Sequence, residues 1–186
     1  MKNEKIKIFL IIFVFLFIEY LNLYVIKMKK INFKEVYMRK YEEIVKKISE
    51  EYGLDWKLVY AILMQESVEN EKSVRFEKEF FRRYMDKLDL PMMEKLKRSF
   101  SYGLMQIMGQ TAREIGFQDD FEYLFDPETN IRWACKYLKK LFDELKSEML
   151  VVSAYNCGIS KPKQGIIPNP DYVSSVLMKK KILEGG

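Results

Sequence analysis

Residues 55–66 read DWKLVYAILMQE, and how this run folds decides how the rest of the chain is read. At about 100° per residue, Trp56, Leu58, Val59, Ile62 and Leu63 share one side of a helix; Lys57 and Gln65 take the other, with Ala61 and Met64 between. Asp55 stands where an N-cap belongs. Glu66 closes the run, and its side chain projects onto the apolar side, over Ile62 and Leu63. An ionised carboxylate is expensive to hold there. Three outcomes resolve the conflict: a frayed end in solvent, an ion pair with one of the arginines, or a carboxyl that keeps its proton. A desolvated carboxyl has its pKa raised and can act as a general acid, for example toward a glycosidic oxygen.

Outward from this helix the pattern stays helical. Upstream, Phe33 to Tyr52 carries Val36, Tyr37, Tyr41, Ile44, Val45, Ile48 and Tyr52 at helical spacing, and Gly53 stops it. Downstream, RFEKEFFRRYMDKL (75–88) and Pro91 to Arg98 read as helices, and Gly103 opens a further segment, GLMQIMGQTAREIGF. Asp126-Pro127 is an N-cap followed by proline at the first helical position. It starts a long helix with Ile131, Ala134, Cys135, Leu138, Leu141, Phe142 and Leu145 on its apolar face. SAYNCG (153–158) ends another helix at a glycine, 161–170 is a Pro/Gly loop, and Asp171 caps a last helix from Tyr172 to Leu183. No strand of any length and no internal repeat is legible. The fold class expected is all-α, about seven short helices around one core.

Of the 186 residues 48% are apolar and 32% charged, which suits one domain with an appendage. The appendage is the run 6–26, interrupted only by Lys7, Glu19 and Asn22 and just long enough to cross a bilayer core. Lys2, Lys5 and Lys7 would also suit a signal peptide, but cleavage needs small residues and the first Ala, Gly or Ser is Ser49. The first cysteine is Cys135, so no residue near the run can carry a lipid. The expected organisation is an uncleaved anchor at 1–30, a connecting helix at 31–52, and the working domain at 53–186. Lysines flank both ends of the run, so the positive-inside rule sets no orientation.

The net charge of +5 suits an anionic partner such as a cell-wall glycan or a lipid surface, although much of it lies beside the anchor. There is no histidine, which removes Ser-His-Asp and Cys-His nucleophile systems and His-ligated zinc hydrolases. Carboxylates must then carry any hydrolytic-type chemistry. No metal, cofactor or nucleic-acid partner is called for. Cys135 reads as a core residue of the long helix, and its pairing with Cys157 is not set by the sequence.

In order along the chain stand Glu66-Ser67, Gly103 to Met108 (GLMQIM), Thr111-Ala112, Asp126 to Ile131, Ala154 to Gly158 (AYNCG) and the late Tyr172. This series resembles the lytic transglycosylases with a goose-type lysozyme-like domain, over about residues 50–180. The resemblance implies a lysozyme-like helical domain, peptidoglycan as substrate, and an extracytoplasmic location for the domain beyond the anchor. It assigns Glu66 as the catalytic acid and base. Gly103, Leu104, Met105 and Gln106 match the segment bordering the sugar cleft, with Gln106 facing the ligand and Leu104 and Ile107 serving the core. Tyr155 and Asn156 match the AYN pair beside the acid, and Tyr172 a cleft tyrosine. A serine shortly before the GLMQ glycine lies near the reacting sugar in the common pattern; here Ser99 and Ser101 compete for that place.

One departure stands out. The interval 67–102 between Glu66 and Gly103 is more than twice as long as the pattern has, and it holds VRFEKEFF (74–81), similar to a Phe-Glu run in some muramidases. Glu77 could stand near the cleft as a second carboxylate, although the Lys and Arg around it favour an ion pair. Phe76, Phe80, Phe81 and Tyr84 recur at helical spacing, so one face of the insert should pack on the domain. Two rival functions remain: hydrolysis on the same fold, with Glu77 or Asp86 positioning a water, and a silent, membrane-tethered glycan-binding protein.

Overall fold

The computed structural model describes residues 13, 16–23 and 40–185. Two compact units divide the chain, Met1–Lys40 and Tyr41–Gly186. In the first, residues 16–23 are helical, with Leu16, Phe17, Ile18, Leu21 and Leu23 exposed. The remainder of the apolar run 6–26, and residues 31–39 of the expected connecting helix, lie outside the described residues. Among the described residues no helix is long and apolar enough to cross a membrane.

In the second unit, helix α1 (Glu42–Glu51) sends Val45 and Ile48 into the core and ends at Gly53, whose φ of +64° turns the chain back. Helix α2 (Trp56–Glu66) is capped by Asp55, whose side chain accepts from the Lys57 amide at 2.9 Å. Every residue from Leu58 to Leu63 is buried, Tyr60 and Ala61 included. The one-sided face read from the sequence is therefore too narrow: a helix that is apolar nearly all round belongs inside the domain. It packs most extensively against the last helix.

The expectation of an all-helical domain is corrected at three places. The insert begins with β1 (Val74–Phe76), which pairs antiparallel with β2 (Phe100–Tyr102), and β2 pairs with β3 (Ile107–Met108). Strands of two or three residues are too short for a period-2 signal to show. Between β1 and β2 a short helix at Lys78–Phe80 widens into a π turn, Phe81–Met85, and α3 (Met92–Arg98) follows. Residues 103–106 form a turn rather than a helix, so α4 is only Gly109–Glu114; Leu104 and Ile107 are nonetheless buried, as expected.

The long helix α5 (Pro127–Leu145) buries Ile131, Ala134, Cys135, Leu138 and Leu141, the face its sequence marks. Its cap is Asp126, which accepts from the Thr129 amide at 2.9 Å. Helix α6 (Glu148–Cys157) ends at Gly158, and α7 (Pro170–Glu184) closes the fold. The cap of α7 is Asn169, bonded to the Tyr172 amide at 3.2 Å, rather than Asp171. The main core surrounds α2, and a second cluster of Tyr102, Ile107, Phe117, Phe121 and Leu124 sits under the sheet.

Candidate active site

Glu66 is the last residue of α2. The chain leaves it through Val68 and Glu69, both left-handed at φ 52° and 62°. Such a pair of non-glycine residues is held only by surrounding contacts. Here the Tyr60 hydroxyl donates to Glu69 and the Tyr41 hydroxyl to Glu71, tying the loop back to α2 and to the residue that precedes α1. The Glu66 carboxyl thus stands at a fixed point on the wall of a cleft of about 530 Å³.

The carboxyl is partly buried, and that burial pushes its pKa above the usual carboxylate value. The Tyr172 hydroxyl donates to Glu66 Oε1 at 2.5 Å and works the other way, as does the nearby Arg75 charge. Glu77 adds a small push upward. Tyr172 itself is raised, first by burial and then by the carboxyl beside it, so it remains a phenol and a fixed donor.

Strand register brings the insert to the same cleft. Arg75 lies directly across from Ser101, and side chains two apart on a strand share a face, so Arg75, Glu77 and Ser101 point the same way. Glu77 Oε1 accepts from Arg75 Nε at 2.7 Å and from Ser101 Oγ at 2.8 Å. All three line the cleft with Glu66. The expected ion pair of Glu77 is present, and it is a cleft feature as well as a surface one. Of the two serines, Ser101 lines the cleft, whereas Ser99 does not and donates to the Lys95 carbonyl at 2.9 Å. Asp86 is exposed and does not line the cleft.

The turn at 103–106 divides its duties. Gly103 has φ +68°, and a Cβ there would lie 2.4 Å from the Leu124 carbonyl oxygen and 2.5 Å from Asn130 Nδ2, so only glycine fits. Neither Gly103 nor Met105 lines the cleft; the Met105 side chain is in the core. Gln106 does line it, at φ +46°, with its amide nitrogen bonded to the Ser73 and Gly103 carbonyls at 3.0 and 2.9 Å. Tyr155 and Asn156 also line the cleft. The Tyr155 hydroxyl donates to the Met105 carbonyl at 2.7 Å, so it braces the turn, while Tyr172 is the phenol on the acid. Asn156 is exposed and receives a bond from Asn169 Nδ2 at 3.2 Å.

Two residues that the sequence reading passes over matter here. Arg75 pairs Glu77 and stands near Glu66, and only the strand pairing reveals it. Asn130 is fully buried and bonds to Tyr102, Leu124 and Met105, which pins the turn against α5. Its signal was present as a polar residue on the apolar stripe of the long helix. Cys135 and Cys157 are both free thiols: the first is a core residue that burial raises to about 12, the second is exposed at the cleft.

Comparison with known proteins falls on the same span. The family model of the transglycosylase SLT domain matches residues 43–168. The chain is similar to the membrane-bound lytic murein transglycosylase C of Glaesserella parasuis serovar 5, 28% identical over 142 residues, which are 68% of this chain and 33% of that protein. It is similar also to the protein of that name from Edwardsiella ictaluri, 31% identical over 134 residues, 64% of this chain and 31% of that protein. The chain thus spans about a third of the length of the curated relatives it matches. Among solved structures, an inactive mutant of lytic transglycosylase Slt from Pseudomonas aeruginosa superposes with a TM-score of 0.59 at 18% identity, covering 78% of this chain and 24% of that one. The 70 kDa soluble lytic transglycosylase of Escherichia coli gives 0.56 at 22% identity, covering 75% and 23%. These two likenesses establish the lysozyme-like transglycosylase fold of the helical unit.

Proposed function

Because the chain belongs to the transglycosylase SLT domain family, we propose that it is a peptidoglycan lytic transglycosylase. It cuts the β-1,4 bond between N-acetylmuramic acid and N-acetylglucosamine and leaves a 1,6-anhydro end. The observation that carries this reading is a single carboxyl, Glu66, held toward its protonated form by burial at a cleft wall. Glu66 donates its proton to the glycosidic oxygen as the bond breaks, and positive charge develops at the anomeric carbon. The 2-acetamido group of the sugar assists from the substrate side. The carboxylate of Glu66 then takes the proton of the sugar's 6-hydroxyl as that oxygen closes the ring. The proton count balances, and neither a second carboxylate nor a metal enters. Tyr172 stabilises the carboxylate between the two transfers, while Ser101, Gln106, Tyr155 and Asn156 border the sugar. Gly103 and Met105 serve by building the turn that carries Gln106.

Glu77 supports a second reading, since it lines the same cleft as Glu66. Were it to position a water, the product would be a reducing sugar and the chain a muramidase. Its oxygen Oε1 is already engaged by Arg75 and Ser101, which favours ring closure. For location, the apolar run 6–26 and the membrane-bound relatives support an anchor at 1–30, with residues from about 41 onward on the extracytoplasmic side. Mass analysis of products from purified wall glycan tests the reaction. Anhydro ends support the proposal, reducing ends replace it with hydrolysis, and uncut glycan replaces it with a silent binding protein.

A further inference from the structure

We propose that Phe80 and Tyr84 form an aromatic platform for a pyranose ring of the bound strand, a saccharide subsite built by the inserted segment; this rests on the glycan-cleaving reading above. The insert carries four aromatic residues that the sequence places on one packing face, and the structure splits them. Phe76 contacts Phe100 at 5.0 Å and Phe81 at 5.8 Å between ring centroids, a cluster on the face of β1 away from Arg75 and Glu77. Phe80 and Tyr84 pair instead with each other, at 5.3 Å and an interplanar angle of 42°, and both line the cleft that holds Glu66. Tyr84 is 58% exposed. Its hydroxyl has no hydrogen-bond partner among the described residues, and its one ring neighbour there is Phe80.

The pair is held in place rather than left loose. Met85, the next residue, is 3% exposed and anchors the segment. The Asp86 amide bonds to the Phe81 carbonyl at 2.9 Å, the five-residue step that widens the helix, and Lys95 Nζ bonds to the Asp86 carbonyl at 3.1 Å. π turns are rare and recur at functional sites. A single exposed apolar residue is ordinary on a protein surface, but a fixed aromatic pair inside a catalytic cleft is a surface awaiting contact.

The chemistry selects a sugar. One face of a pyranose is a patch of C–H groups, weakly positive and apolar, and an aromatic face is weakly negative and apolar. Stacking buries both without breaking a hydrogen bond. The ring's hydroxyls stay at the edge, where Arg75 and Glu77 in the same cleft can meet them. Continuity with the cleft of Glu66 makes the occupant the strand being cut rather than a separate ligand.

The test uses the full chain carrying Glu66→Gln, which leaves the strand uncut, and measures its binding to purified peptidoglycan glycan strands. Adding Tyr84→Ala should weaken binding about tenfold, while Tyr84→Phe and Tyr84→Trp should stay within about threefold because they keep a ring. Circular dichroism checks that each variant is folded. Binding that survives Tyr84→Ala overturns the platform. A loss in Tyr84→Phe equal to that in Tyr84→Ala also overturns it, since the hydroxyl and not the ring would then make the contact. The glycan reading fails separately: the parent would then neither cut nor bind the strands, and the platform would fall with it.

Discussion

Asn130 is the residue whose loss should harm the fold and the site together. Its side chain is fully buried and bonds to three separate segments. Nδ2 donates to the Tyr102 carbonyl at 2.8 Å and the Leu124 carbonyl at 2.7 Å, and Oδ1 accepts from the Met105 amide at 2.7 Å. Asn130→Ala removes all three bonds and strands two carbonyls and an amide in a dry interior. At about 1–3 kcal/mol per orphaned buried group, less some relaxation, the cost should be roughly 3–5 kcal/mol. That is a large share of a total near 5–15 kcal/mol. Asn130→Asp separates hydrogen bonding from packing, because it keeps the shape and the acceptor for Met105 but turns an oxygen toward two carbonyl oxygens. It should still destabilise, since a neutral acid can meet only one of the two carbonyls and an ionised one is a buried charge. Urea unfolding of the parent and both variants, followed by circular dichroism, gives the numbers. Glycan turnover should fall as well, since the turn that carries Gln106 loses its hold on α5. An alanine variant within about 1 kcal/mol of the parent, or an aspartate variant as stable as the parent, would refute the reasoning.

Glu66→Gln should leave less than about a hundredth of the turnover, given the size of general-acid effects. Burial raises the Glu66 pKa from 4.5, so the folded chain binds that proton more tightly than the unfolded one and the parent loses stability as pH rises through the folded value. The Gln variant escapes that loss, so its stability relative to the parent should grow as pH rises from 4.5 to the folded value and level off above it; a difference that is flat above pH 4.5 would contradict the assignment. Glu77→Gln should change activity by less than about tenfold, or ~1.4 kcal/mol of barrier, with anhydro ends retained. A loss as deep as that of Glu66→Gln, with reducing ends from the parent, would make this a two-carboxylate muramidase. The chain should fractionate with membranes and keep its N-terminus; a mature protein beginning beyond Ile26 would show the run 6–26 to be a signal peptide.

Helices α1 and α5 are legible because each buries one stripe. The apolar face of α5 and the caps Asp55 and Asp126 can be read from spacing and residue type alone. Elements that lie below the length of a period could not be read. β1, β2 and β3 have three, three and two residues, and the pairing of β1 with β2 joins segments about 26 positions apart in the chain. That pairing sets Arg75 and Ser101 opposite each other, so the polar half of the site depends on contacts no local pattern encodes. Glu66 was legible for the opposite reason: a carboxyl on an apolar face is a local contradiction, and such contradictions concentrate at functional sites. Tyr172 and Tyr155 are both expected at the cleft, but only Tyr155 lines it, and Tyr172 is buried against Glu66. One holds the acid and the other braces the turn, which only the distances separate.

On the proposed reading, the same distances let one carboxyl serve as acid and then as base. Burial alone would keep the proton on Glu66 and make it a reluctant donor. The Tyr172 hydroxyl and the Arg75 charge alone would hold it ionised and leave it nothing to donate. The site applies both, with burial the larger influence and the tyrosine next. The net effect is a carboxyl held above the usual carboxylate value whose conjugate base is already met by a fixed donor. As the proton leaves, the bond to Tyr172 strengthens, which favours the transition state over the ground state. When the 6-hydroxyl returns a proton, burial favours its capture. Arg75 reaches Glu66 through the same strand that ties it to Glu77, so the insert tunes the acid as well as walling the cleft. An Arg75→Met variant should therefore raise the pH at which Glu66 loses its proton, moving the alkaline limb of the activity profile upward. An unchanged or downward-shifted limb would mean that the Arg75 charge does not act on Glu66.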